Sequence, residues 1–178
     1  YPAQDGVSPC ERFTYNSRNQ ILMHTDLRGT VTVYTYDENG MPKTKKVGSR
    51  NAISYTYEEG LLKSTTDAAG NTIRYGYNAL GQMISKTDAQ NHTTSYEYDL
   101  SGNITKVTDA NGKTVVTAYD CNYQKTSVTD ANGNKTEYTY TGNLKNASVV
   151  LPNTGTVQYE YDAEDRPVKT TDQAGNIT

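Results

Sequence analysis

At 178 residues, the chain is long enough for one ordinary domain or for a stack of small units. Sixteen Tyr against one Phe and no Trp, an apolar share of 34% and few strong helix formers argue against helices and a thick oily core; Tyr and Thr fit a pleated, half-buried surface instead. A net charge of −3 gives no basic footprint for nucleic acid, and no apolar run reaches the roughly 18 residues of a membrane span.

Taken in chain order, the sequence repeats one phrase. After the opening YPAQDGVSPCE come Phe13 and Tyr15, then Tyr34 and Tyr36, Tyr55 and Tyr57, Tyr75 and Tyr77, and Tyr96 and Tyr98. Next is Tyr119, with Thr117 in the earlier slot, and then Tyr138 and Tyr140, and Tyr159 and Tyr161. The last tyrosine of each pair recurs every 21 residues, except for a step of 20 between Tyr57 and Tyr77, and only Tyr1 and Tyr123 fall outside this register. A fixed period of this kind marks a repeat architecture.

Each unit contains two turn phrases. The first follows the tyrosines, as in YDENG at 36–40, YDLSGN at 98–103 (Asp99, Gly102) and YDAED at 161–165. The second follows Thr-Asp, as in TDAAGN (Asp67, Gly70), TDANGK (Asp109, Gly112), TDANGN (Asp130, Gly133) and TDQAGN (Asp172, Gly175). Asp opens both because its carboxylate bonds the backbone two residues on, and Gly three residues later supplies the positive φ that ends the turn. Between turns lie short Thr-, Tyr- and Val-rich runs such as KTEYTY and ITKVT, which read as strands.

The pattern therefore predicts an all-β fold of repeating antiparallel β-hairpins, about eight repeats in a single array over 1–178, forming one long twisted, curved sheet. Residues two apart on a strand share a face, so each tyrosine pair points one way. Hairpins advance by roughly 10 Å, too far for equivalent rings to stack, so Ile21, Leu62, Met83 and Ile104 are expected to fill the gaps. Irregular units are expected at EEGL (58–61), one residue short, at a shortened TGN turn (141–143), and at VLPNTG (150–155), which replaces Thr-Asp. Both ends of the chain enter mid-unit, so a piece of a longer array is expected, with open sheet edges that invite self-association.

Candidate sites are few. His24 and His92 are the only histidines, and no Ser/His/Asp or Cys/His grouping emerges from repeat-equivalent positions, so no enzyme is expected. DANGN at 130–134 stops too soon for a calcium loop, which needs ligands across about twelve residues. Asp67, Asp88, Asp109, Asp130 and Asp172 are thus expected to fix turns, with no metal or cofactor. Cys10 and Cys121 lie about five repeats apart, roughly 50 Å on a flat sheet, and two free thiols are expected. Regular tyrosines are also platforms for sugars and choline, although such modules are usually rich in Trp.

YEYDLSGNI at 96–104 and YTYDENGMP at 34–42 carry a pattern, Y-x-Y-D-x-x-G-[R/N]-[L/I], that resembles the YD repeat of the RHS (rearrangement hot spot) proteins. The frequent Arg after the turn glycine is replaced in most units by Asn, Gln or Met, and Arg166 occupies that column without the glycine. The resemblance implies a structural role. In RHS proteins, insecticidal toxin complexes and teneurins, such repeats form a sheet that spirals into a hollow shell. In the bacterial cases the shell holds a C-terminal toxin domain, and the self-cleaving carboxylates of that region have no counterpart here. The expected function is a wall segment of a secreted or cell-surface bacterial protein, with neighbouring repeats and an enclosed C-terminal domain as partners. The alternative is a carbohydrate- or choline-binding module of a surface adhesin.

Overall fold

The computed structural model describes residues 10–152 and 154–178. Among them there is no helix; all regular structure is antiparallel strand. The chain divides into two compact units, the first ending at His92 and the second spanning Thr93–Thr178. The first unit holds β1 (Arg12–Tyr15), β2 (Ile21–Thr25), β3 (Val31–Tyr36), β4 (Pro42–Val47), β5 (Ile53–Glu58), β6 (Leu61–Thr66), β7 (Thr72–Tyr77) and β8 (Met83–Thr87). The second holds β9 (Thr93–Tyr98), β10 (Ile104–Thr108), β11 (Thr114–Tyr119), β12 (Lys125–Thr129), β13 (Lys135–Tyr140), β14 (Asn146–Leu151), β15 (Gly155–Tyr161) and β16 (Pro167–Thr171). Within each unit every strand pairs with its neighbours in the chain, so local turn chemistry dictates the whole topology.

One five-residue turn recurs on both edges of each unit. In Asp130–Asn134, the Asp130 amide donates to the Asn134 carbonyl (2.9 Å), and the Gly133 amide donates back to the Asp130 carbonyl (3.0 Å). Asp130 Oδ1 accepts the amides of Asn132 and Asn134, so one carboxylate oxygen satisfies two backbone donors of the bend. Gly133 has φ 87°, the left-handed value the sequence pattern requires. Asn16 and Asn78 do the work of Asp in their turns through Oδ1.

Two irregular units resolve differently. EEGL is indeed short: Glu59 and Gly60 form a two-residue turn, and Tyr57 pairs with Leu62, one residue closer than the usual partner. The turn at TGN is not shortened. Thr141–Lys145 is a full five-residue turn in which Leu144 takes the left-handed slot at φ 62° and Thr141 Oγ1 replaces the Asp oxygen. The missing glycine, not a missing residue, disguised it.

Every tyrosine-side hairpin also carries a β-bulge just before its last tyrosine. Thr35 pairs with Thr44 but Tyr36 with Pro42, which leaves Lys43 as the extra residue. Leu22, Lys63 and Thr126 are its counterparts in β2, β6 and β12. The bulge offsets each hairpin from the one before: Thr44 faces Thr35 on one side and Ser54 on the other, so the ladder row moves from one residue before Tyr36 to three before Tyr57. Ser64, Ser127 and Ser148 make the same two-residue step. Bulges generally add twist and bend to a sheet, and here one recurs in every repeat.

Neither unit has a dry core. Among the described residues Thr32 alone is buried, at 9% exposure, and no apolar side chain is. The two faces nevertheless differ. In β13, half-buried Thr136, Tyr138 and Tyr140 alternate with exposed Lys135, Glu137 and Thr139.

Candidate functional site: the tyrosine face and its turns

On one face, the register sets the earlier ring of each pair against an even-strand side chain. Tyr34 faces Lys45, Tyr55 faces Thr65, Tyr75 faces Lys86, Tyr96 faces Val107, Tyr138 faces Val149, and Tyr159 faces Thr170. Lys45 Nζ lies 5.9 Å from the centre of the Tyr34 ring, within cation–π range. The last ring of each pair meets a residue at the start of the next strand. Ile21 lies opposite Tyr15, Leu62 opposite Tyr57, Met83 opposite Tyr77 and Ile104 opposite Tyr98, while Tyr119 and Tyr161 face Lys125 and Pro167.

The hydroxyls tie successive hairpins together. Tyr36 donates to the Ile21 carbonyl (2.9 Å), Tyr77 to that of Leu62 (3.0 Å) and Tyr140 to that of Lys125 (2.7 Å). Each acceptor belongs to the residue immediately before a bulge in the adjoining strand. Burial, then the neighbouring Tyr55 and Asp37, raises the Tyr57 phenol above its ordinary 10.0; burial, Asp120 and Tyr138 do the same for Tyr140. Turn edges are joined too: Gln20 Nε2 donates to the Gly40 carbonyl, and Gln124 Nε2 to that of Leu144, both at 2.8 Å.

The opposite face is largely polar, with exposed Val33, Val116 and Val150 among its side chains. Thr35 and Thr44, Thr56 and Ser64, and Thr139 and Ser148 are hydroxyl pairs at 2.7 Å, and Glu97–Lys106 and Glu160–Lys169 are ion pairs at 2.9 and 2.6 Å.

The turn carboxylates are committed to their own turns. In Asp67, Asp99, Asp130 and Asp172 the second oxygen accepts Asn71, Asn103, Asn134 and Asn176 side-chain amides, and these bonds first, then backbone amides, hold the carboxyl below its ordinary 3.8. Asp109 accepts the amides of Asn111 and Lys113, and Gly112 (φ 79°) closes its turn. Gly70, Gly102 and Gly175 hold the same left-handed slot. His92 takes the last slot of its turn and sets Nδ1 3.1 Å from Asp88 Oδ2. His24 stacks on Phe13, centroids 4.4 Å apart, with Nε2 3.6 Å from the Glu11 carboxylate. Cys10 and Cys121 are free and exposed. Among the described residues no three metal-ligating side chains converge, and no helix is long and apolar enough to cross a membrane.

Tyrosine pairs, Asp-opened turns and a 21-residue hairpin together define the repeat, and a family model described as RHS Repeat matches residues 55–91, 77–114 and 141–177, more than half of the chain. The chain belongs to the RHS repeat family. Its fold matches that of a chain in the Photorhabdus luminescens Tc holotoxin pore, with TM-score 0.75 and 16% identity over 89% of this chain and 10% of that one. It also matches TcdB2-TccC3-Cdc42 (TM-score 0.76, 16% identity, 89% and 10% coverage) and TcdB2-TccC3-TEV (0.69, 14%, 94% and 11%). At these identities the likeness is one of fold, and this RHS repeat chain spans about a tenth of the length of those chains. No curated protein matches it.

Proposed function

We propose that these RHS repeats act as one array in the wall of a bacterial shell, a structural and non-enzymatic segment of a secreted or cell-surface protein that encloses or presents a C-terminal toxin or effector domain. The observation that carries this reading is the absence of any buried apolar side chain among the described residues. Such a sheet gains its stability from neighbour after neighbour, as repeat arrays do, and offers a continuous surface rather than a pocket. The two-faced character supports it as well: an aromatic face knitted by phenol bonds and a largely polar face of hydroxyls and ion pairs suit a partition between two environments. The likeness to Tc toxin chains points the same way. Against a sugar- or choline-binding module stands the commitment of the Tyr36, Tyr77 and Tyr140 hydroxyls to backbone carbonyls.

The test is electron microscopy and limited proteolysis of the full parent protein. A hollow particle whose C-terminal domain resists protease until the particle is opened is the expected result. A C-terminal domain digested at the rate of the isolated domain would overturn the enclosure, and quenching of Tyr fluorescence by choline or oligosaccharides would favour the binding module.

A further inference from the structure

Asn is followed by Gly at three places in the chain, Asn39–Gly40, Asn111–Gly112 and Asn132–Gly133, and each pair fills the third and fourth positions of a five-residue turn. The three turns are closed by the same internal bonds. The Gly40, Gly112 and Gly133 amides donate to the Asp37, Asp109 and Asp130 carbonyls at 3.0 Å. Oδ1 of the same Asp residues accepts the Asn39, Asn111 and Asn132 amides at 3.0, 2.8 and 2.8 Å. Their surroundings differ. Gln20 Nε2 donates to the Gly40 carbonyl and Arg18 Nη1 to that of Glu38, both at 2.8 Å, so the turn at Asp37 is strapped to the turn before it on either side of Asn39. The same two atoms would lie 3.3 and 3.4 Å from a Cβ at Gly40, which is half-buried. At Gly112 and Gly133, both exposed, nothing comes within 4 Å of that point. Among the described residues no side chain of another turn bonds these two turns.

We propose that Asn111 and Asn132 are sites of spontaneous deamidation and that the strap from Arg18 and Gln20 spares Asn39. The chemistry needs only water. The Gly nitrogen attacks Cγ of the preceding Asn, and the new C–N bond closes a succinimide ring. The side-chain nitrogen leaves as ammonia, taking up the proton that the Gly nitrogen loses. Water then adds to one of the two ring carbonyls and breaks its C–N bond. The product is aspartate, or isoaspartate in which the main chain runs through the former side chain. Glycine favours ring closure because no Cβ obstructs the approach of its backbone. In the closed turn the attacking N–H is held on an Asp carbonyl, so reaction proceeds from molecules whose turn has opened, and its rate follows the population of that open form. The turns at Asp109 and Asp130 open on their own, whereas the turn at Asp37 must also release two bonds to its neighbour. Each event places a new carboxylate two residues after the Asp that opens the turn, and isoaspartate lengthens the main chain of a turn whose bonds are set by residue count. This ageing belongs to the array itself and does not depend on what the array encloses.

The test incubates the 178-residue chain at mildly alkaline pH, folded and in guanidinium, and follows the three Asn-Gly peptides by mass spectrometry for the change from amide to acid. Isoaspartate is counted separately, by methyl transfer from S-adenosylmethionine with an isoaspartyl methyltransferase. In guanidinium the three sites should react at similar rates. In the folded chain Asn111 and Asn132 should convert about tenfold faster than Asn39, the factor that two extra hydrogen bonds supply. Arg18→Ala/Gln20→Ala should bring the Asn39 rate up to that of Asn111 while Asn111 keeps its wild-type rate, which separates a lost strap from lost folding. Gln20→Ala alone, with one strap bond left, should give an intermediate rate. Equal rates at all three sites in the folded wild-type chain would overturn the proposal. So would Asn111 and Asn132 left intact over a time in which the unfolded chain converts, or an Asn39 rate that neither variant moves.

Discussion

The Tyr140 hydroxyl stands 2.7 Å from the carbonyl oxygen of Lys125 in the adjoining strand, one residue before the bulge of the preceding hairpin. Tyr36 and Ile21 repeat the arrangement in the first unit. The phenol therefore links one repeat to the next at the point where the ladder register breaks. Tyr140→Phe keeps the ring and removes this bond, and should lower the unfolding free energy in urea titrations by about 0.5–1.5 kcal/mol. Tyr36→Phe should cost a similar amount, and the two should add because the sites share no partner. The raised phenol of Tyr140 has an alkaline counterpart. A folded-state value above the unfolded 10.0 gives stability that is complete below 10.0 and is lost as pH rises through the folded value, and Tyr140→Phe should remove that part of the alkaline loss.

The turn carboxylates act at the other end of the pH scale. Asp67, Asp99, Asp130 and Asp172 are held below 3.8 by their Asn partners and backbone amides. A depressed folded-state value contributes stability above the unfolded value, and that stability is lost as pH falls through the folded one. Melting temperature should therefore be insensitive to these groups at neutral pH and should drop below about pH 3.8. Asp130→Asn should keep the turn, because Asn16 and Asn78 fill the same role natively, and should flatten part of the acid slope. An unchanged slope in circular-dichroism melts of this variant would refute the linkage.

How far the sequence discloses this fold follows from which features depend on residue type. The hairpin period was legible because Tyr and the Asp–Gly turn recur at fixed spacing, and Asp99, Asp130 and their glycines serve the turns they mark. The bulges were not, because the extra residue is Leu22 in one repeat, Lys43 in another and Thr126 in a third, and backbone geometry rather than a side chain defines them. Leu144 misled for the opposite reason: a residue type that ordinarily avoids the left-handed slot occupies it, and the turn looked truncated. The tyrosine face was legible in its alternation but not in its phenol-to-carbonyl bonds, which depend on the bulge beside each acceptor.

Repeat equivalence also exposes a defect. Gly76 pairs with Ser85 where other repeats place a hydroxyl pair, Thr56–Ser64 and Thr139–Ser148 at 2.7 Å. A Cβ at Gly76 would crowd Ser85 Oγ, a terminal atom that rotates away about one bond. Gly76→Thr should therefore restore the pair and raise stability by up to about 1 kcal/mol, through strand propensity and reduced backbone freedom in the unfolded chain. In the Ser85→Ala background the hydroxyl pairing cannot form, and the gain should shrink to the propensity part alone. A loss of stability in chemical denaturation would mean that the local backbone approach, not the missing side chain, sets this position.

The left-handed slot separates backbone strain from packing, because at Gly112 (φ 79°) nothing lies within 4 Å of where a Cβ would sit. Gly112→Ala meets no steric neighbour, so its whole effect should be conformational, a loss of about 1–2 kcal/mol. Leu144→Gly runs the opposite way: it releases the same strain at φ 62°, offset by the greater freedom of glycine in the unfolded chain, for a net gain of up to about 1 kcal/mol. Equilibrium denaturation of the two variants reads both signs directly. If Leu144→Gly proved destabilising, the leucine side chain would have to hold its own turn together.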